Sequence, residues 1–144
     1  THTSYNDFES VAANLLDDDP RRVTDRLPCY ALYTDPPLGR VGMTETQARA
    51  SGRSVLVGHK PMSQVGRAIE KGETDGYMQV LVDADTDLIL GATILGVGGD
   101  EVVHCLLDTM QYGVPARQLQ RTVHIHPTVA EFLPTVLGEL QPLV

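Results

Sequence analysis

The chain has 144 residues, near the modal length of a single domain, and a formal net charge of −8. A domain of that size buries an adequate core without disulfide staples. The acidic balance excludes nucleic acid as a partner, because phosphate binding is driven by Lys and Arg releasing counterions, and Arg21 with Arg22 is too small a cluster to reverse it. No apolar stretch approaches the ~20 residues needed to span a bilayer, so no membrane partner is expected. Thr1-His2-Thr3-Ser4 has neither a basic n-region nor a signal-like apolar run, so a cytoplasmic chain is expected. Thr1 in place of a starting Met points to a segment of something longer.

Taken in order, Phe8, Val11, Ala12, Leu15 and Leu16 recur at the spacing of one helix face. Ser4 with Asp7 three residues on is the candidate N-terminal cap, and Asp17 to Pro20 ends the helix as a solvated connection. A short strand is predicted over Cys29 to Thr34, halted by Asp35-Pro36-Pro37, with another extended piece over Leu38 to Gly42. Thr44-Glu45-Thr46-Gln47 has the capping-box form, and Gly52 is placed to end a two-turn helix. Ser54 to His59 alternates like a strand and is closed by Pro61. Gly76 to Asp83 and Leu88 to Val97 are rich in β-branched and large apolar residues and flank a polar turn, Ala84 to Asp87. An antiparallel hairpin at the centre of the sheet is therefore expected.

Gly96, Gly98 and Gly99 break the second of these strands. Asp100 and Glu101 then open a helix with acidic residues where its dipole favours them. Val102, Val103, Leu106, Leu107 and Met110 supply the apolar stripe, and Gly113-Val114-Pro115 ends it. A short helix over Ala116 to Gln120, an extended stretch from Thr122 to His126 and a last helix from about Val129 to Leu140 complete the pattern. An antiparallel sheet with helices packed around it is an α+β domain.

The glycines at 96–99 invite a phosphate-loop reading, since they join a strand to a helix. They lack both the GxGxxG spacing and a Lys-Ser/Thr pair, and Asp100 and Glu101 would repel a phosphate, so a packing role is the expectation. His124 and His126 would share a face of an extended segment, as metal ligands can, but nothing nearby except Glu131 completes a ligand set, so no metal site is expected. Cys29 and Cys105 are too far apart for a CxxC motif; buried free thiols are expected, a single long-range disulfide being the alternative.

Thr128-Val129-Ala130-Glu131 supports two readings. Thr followed three residues later by Glu is a capping box, in which Glu131 does no more than bond a helix-terminal amide. With His126 just upstream, the same glutamate can instead stand behind an imidazole, orienting the ring and fixing its tautomer for proton transfer to or from a thiol.

His126-Pro127-Thr128-x-x-Glu131 resembles the HPTxxE motif that closes the pyridine nucleotide–disulfide oxidoreductases, the flavoprotein family of glutathione reductase, dihydrolipoamide dehydrogenase and mercuric reductase. Further matches occur in the same order: Tyr33-Thr34-Asp35-Pro36 with Gly39-Arg40-Val41-Gly42, Arg67-Ala68 with Gly76-Tyr77-Met78-Gln79-Val80, and Leu88-Ile89-Leu90-Gly91-Ala92 followed by Gly96 and Glu101. The resemblance implies that family's dimerisation-domain fold over residues 28–144, with 1–27 as the tail of a preceding flavin-binding region and linker. It implies a homodimer in which the stripe of the helix after Gly99 and the hairpin face 88–97 meet their copies. His126 is then the acid–base residue and Glu131 its partner, with Pro127 and Thr128 approaching the flavin of the partner subunit. FAD and NAD(P)H are implied for the full-length protein, in its flavin and dinucleotide domains. None is expected to bind this chain, which has no dinucleotide fingerprint, no paired redox cysteines and no vicinal cysteines near Gln141-Pro142-Leu143-Val144. The competing expectation is a small metal-binding or assembly domain without redox activity.

Overall fold

The computed structural model describes all 144 residues. Its centre is the expected hairpin: Tyr77–Asp83 (β4) and Ile89–Leu95 (β5) pair antiparallel, with an irregularity at Leu81/Val82. These are the inner strands of a six-stranded antiparallel sheet of order β1-β2-β5-β4-β3-β6. Its other strands are Cys29–Leu32 (β1), Leu38–Gly42 (β2), Val55–Pro61 (β3) and Gln141–Pro142 (β6). The helices are His2–Leu16 (α1), Glu45–Ala50 (α2), Gly66–Lys71 (α3), Gly99–Gln111 (α4), Ala116–Arg121 (α5) and Leu133–Gly138 (α6). The α+β class and the antiparallel sheet are as the alternation and turn chemistry predict.

One face of the sheet carries the main core. Val41, Ala92 and Val80 are register partners across β2, β5 and β4, and Ile94 and Met78 form the next row on that face. Val102, Val103 and Leu106 of α4 and Leu133, Val136 and Leu137 of α6 complete the cluster. Two glycines let these helices come down onto the strands. A Cβ on Gly39 would stand 2.2 Å from the Gly99 carbonyl oxygen and 2.8 Å from Val103 Cβ, and one on Gly58 would stand 2.5 Å from the Val136 carbonyl oxygen. The opposite face holds a smaller cluster of Ala48, Val55 and Leu81 beneath α2. That helix starts with both halves of the capping box, Thr44 Oγ1 accepting from Gln47 N–H and Gln47 Oε1 from Thr44 N–H.

Several local expectations are corrected. Helix α1 begins at His2, so Ser4 lies inside it and caps nothing. It buries Ser10 and Ala13, while Tyr5, Phe8, Val11, Leu15 and Leu16 are exposed. Its inner side is held by polar bonds from the connection that follows: Arg26 donates to Asn6 and Asp7, and Asn14 to the Arg21 carbonyl. The α4 stripe, expected to need a second copy for cover, is spent within the chain: Val102, Val103 and Leu106 are buried and Leu107 and Met110 half-buried. The last helix is shorter than expected, a 3-10 turn at Ala130–Phe132 leading into α6, and α3 and β6 were not foreseen. Both cysteines are free, but Cys29 is exposed and only Cys105 is half-buried, where burial pushes its thiol up. No helix is long and apolar enough to cross a membrane.

The β4–β5 turn is organised by Asp83, 2% exposed, whose carboxylate accepts from Asp85 N–H (2.9 Å), Thr86 N–H (3.1 Å) and Arg53 Nη1 (2.6 Å). The Arg53 guanidinium first, and the Thr86 amide after it, hold this carboxyl below its ordinary value of 3.8. A depressed folded value means the unfolded chain binds the proton more readily. The group therefore contributes full stability above its unfolded value and loses it as pH falls through the lower folded one. Urea melts between about pH 3 and 5 should show stability rising with pH, and Asp83→Asn should flatten that slope. An unchanged slope in the variant would mean that Asp83 does not carry the effect.

Candidate functional site

The strongest sequence candidates lie on the segment between α5 and α6. Residues 122–128 pair with no strand and are irregular, bending at Thr122 and again at His126 and Pro127, so the expected extended stretch is interrupted. It is tied down by short-range bonds: Thr122 Oγ1 donates to the Gln118 carbonyl, the Thr122 carbonyl bonds His124 Nδ1 at 3.0 Å, and Thr128 Oγ1 donates to the Ile125 carbonyl at 2.7 Å. The His126–Pro127 peptide bond is cis.

The two readings of Thr128 and Glu131 separate here. Thr128 Oγ1 accepts the Glu131 N–H at 3.2 Å, so the threonine half of a capping box is made. The glutamate half is not. The Glu131 carboxylate turns to His126, with Nδ1 at 3.1 Å from Oε1 and 3.0 Å from Oε2. The His126 side chain is 78% exposed and that of Glu131 only 24%, so the carboxylate forms the inner, anchored side of the pair. It is anchored because Val129 is buried on one side of it and Leu133, the first residue of α6, is fully buried on the other. With Nδ1–H donating to Glu131, Nε2 is the lone-pair nitrogen, and it has no partner within the chain. Such an imidazole can accept a proton at Nε2 and return it.

His124 does not join this pair, its ring being turned to its own backbone at Thr122. No group of three or more His, Cys, Asp or Glu side chains is placed to hold a metal ion. At the start of α4 the glycine serves close packing. Gly99 is buried against the Ile94 carbonyl oxygen, 2.6 Å from where a Cβ would stand, and Asp100 and Glu101 follow it. Just before His126 in the chain, Val123 is 95% exposed and Ile125 79% exposed, so two aliphatic side chains stand there without cover. Sequence reasoning singled out His126, Glu131, Pro127 and Thr128 but missed the tether from Thr128 back to Ile125. A threonine that both donates and accepts leaves the same mark in a sequence as one that only caps.

The pyridine nucleotide-disulphide oxidoreductase dimerisation domain matches residues 29–137. A probable pyridine nucleotide-disulfide oxidoreductase, RclA of Escherichia coli (strain K12), is 36% identical over 135 residues, covering 92% of this chain and 30% of that protein. A dihydrolipoyl dehydrogenase of Halobacterium salinarum is 35% identical over 121 residues, covering 84% of this chain and 26% of that enzyme. Among solved structures, the HOCl-induced flavoprotein disulfide reductase RclA from Escherichia coli superposes with a TM-score of 0.86 at 34% identity, over 92% of this chain and 31% of that one. The chain thus spans less than a third of the length of these relatives. On the family match over most of its length and on the shared fold, this chain belongs to the pyridine nucleotide-disulphide oxidoreductases, as their dimerisation domain.

Proposed function

We propose that this domain supplies the acid–base histidine of an FAD- and NAD(P)H-dependent disulfide oxidoreductase, with His126 acting in the active site of the partner subunit. The observation that carries the reading is the Glu131 carboxylate at 3.0–3.1 Å from His126 Nδ1, where a simple capping box would have turned it to the backbone. In this role Nε2 takes the proton from a dithiol substrate, and the resulting thiolate attacks a disulfide sulfur. One S–S bond breaks as another forms, and the displaced thiolate either stays ionised beside the imidazolium or recovers the proton from Nε2. Glu131 balances the charge on the ring and holds its orientation. FAD, bound by the preceding region, supplies the path for the electron pair between NAD(P)H and the redox disulfide.

The uncovered aliphatics Val123 and Ile125 support insertion of this segment into a second subunit, since a symmetric dimer would remove them from water. The exposed stripe of α1 supports the assignment of residues 1–27 to the tail of a flavin-binding region and linker, with 28–144 as the dimerisation domain proper. Tyr5, Phe8, Val11, Leu15 and Leu16 would then pack on the body of that region. Pro127 and Thr128 adjoin His126 and would approach the partner's flavin.

The 144-residue chain alone is expected to be a colourless homodimer without redox activity. A dinucleotide needs backbone amides at an uncluttered helix N-terminus, which α4 does not offer. Calorimetric titration with FAD should show no binding at micromolar concentration, and light scattering should give twice the chain mass. A stoichiometric sub-micromolar FAD complex, or a monomer at all concentrations, would contradict this. The role of His126 itself is tested by disulfide turnover of the His126→Ala variant in the full-length protein.

A further inference from the structure

We infer that Asp87, in the β4–β5 turn, is a positioning residue for His126, acting through α5; the inference rests on the acid–base reading of His126. Helix α5 has six residues, and its N-cap is Pro115, which makes no side-chain cap bond. The missing cap comes from the hairpin turn. The Asp87 carbonyl accepts the Ala116 N–H at 2.7 Å, and its Oδ2 accepts the Arg117 N–H at 3.2 Å and Arg117 Nε at 2.6 Å. These bonds satisfy first-turn amides that no residue of the helix itself serves.

The tether holds the N-terminal end of α5, beside the packing of this helix on α6. The only buried residue of α5 is Ala116, with Leu119 half-buried against the core. From Thr122 to Pro127 the side chains are exposed apart from half-buried His124, so the histidine end of the site has no hydrophobic anchor of its own. The Glu131 end is set by Leu133 in the core, and the His126 end is held between α5, with the turn that caps it, and the bond from Thr128 Oγ1 to the Ile125 carbonyl. Loosening α5 would let the imidazole move relative to its carboxylate. The backbone amides, rather than the ion pair, carry the coupling: the Arg117 side chain is 65% exposed and its attraction is screened by solvent.

Asp87 sits at φ 61°, so an alanine there would strain the turn as well as remove the carboxylate. Asp87→Gly removes the carboxylate that accepts the Arg117 N–H, keeps the backbone conformation and leaves the carbonyl that accepts from Ala116; Asp87→Asn retains a side-chain acceptor, and Arg117→Ala removes only the ion pair. In the full-length protein, Asp87→Gly is expected to lower disulfide turnover about tenfold, inside the range up to 10²-fold that a shift of about 1 Å in a reacting group produces. Reduction of the flavin by NAD(P)H should be unchanged, Asp87→Asn should recover most of the loss, and Arg117→Ala should behave as the parent. Hydrogen exchange at the amides of α5 and residues 122–126 should quicken in Asp87→Gly, and Asp87→Gly should add no further loss to His126→Ala. If His126→Ala loses turnover but Asp87→Gly keeps it, or if Asp87→Gly loses flavin reduction equally, the positioning role is wrong and the acid–base reading stands. If His126→Ala keeps full turnover, the acid–base reading falls and this inference with it.

Discussion

Replacing His126 by alanine in the full-length protein is expected to lower turnover with disulfide or dithiol substrates by about 10² to 10⁴, the range typical of a lost general acid–base. Reduction of the flavin by NAD(P)H should be nearly untouched, because hydride transfer needs no proton from this ring. Stopped-flow measurement of the two half-reactions separates these outcomes. Glu131→Gln should cost less than His126→Ala, since an amide oxygen still accepts from Nδ1 but no longer balances the charge of the imidazolium. The geometry also separates catalysis from capping. Thr128, whose hydroxyl caps the Glu131 amide, can be changed to alanine at about 1 kcal/mol of stability while the carboxylate remains. Melting curves of the two variants should therefore differ where their kinetics do not run parallel. Full disulfide turnover in His126→Ala would reduce the segment to a helix start with a bystander imidazole.

A large stability effect is expected at Leu133, which is fully buried where α6 meets the sheet. Leu133→Ala should cost about 2–5 kcal/mol, the transfer free energy of the lost carbons plus a cavity the neighbours cannot close. Val136, Leu137 and the strand residues around them are held by their own backbone bonds, so relaxation into the gap is limited. Thermal melting of the 144-residue chain should fall by roughly 5–15 °C. Leu133→Met, which nearly conserves volume, should cost less than about 1.5 kcal/mol. A Leu133→Ala melt within error of the parent would mean that α6 does not rest on this side chain. The site should respond as well, because Glu131 lies two residues before Leu133 and shares its anchorage.

Some of this protein was determined within a few residues of chain. The Thr44–Gln47 capping box, the polar turn between β4 and β5, and the break at Gly96 to Gly99 all fold as their spacing implies. Each is a matter of backbone groups and side chains no more than four positions apart. The HPT-x-x-Glu segment was legible for the same reason, as a set of residue types at short fixed offsets. The tertiary structure alone decided questions with two locally equivalent answers. The Glu131 carboxylate could reach either a backbone amide or an imidazole, and the choice followed from Thr128 taking the amide while Val129 and Leu133 set the direction of the chain. Helix α1 carries a clear apolar stripe, yet it buries Ser10 and Ala13, because Arg26 and Asn14 bind the polar side to the connection that folds back along it. The α4 stripe is covered because Gly39 lets the helix reach β2, a contact made 60 residues away in sequence. Asp87 caps α5 across a gap of 30 residues. Periodicity states that a face is apolar and spacing states that two groups can meet; which partner wins depends on what the rest of the fold has already satisfied.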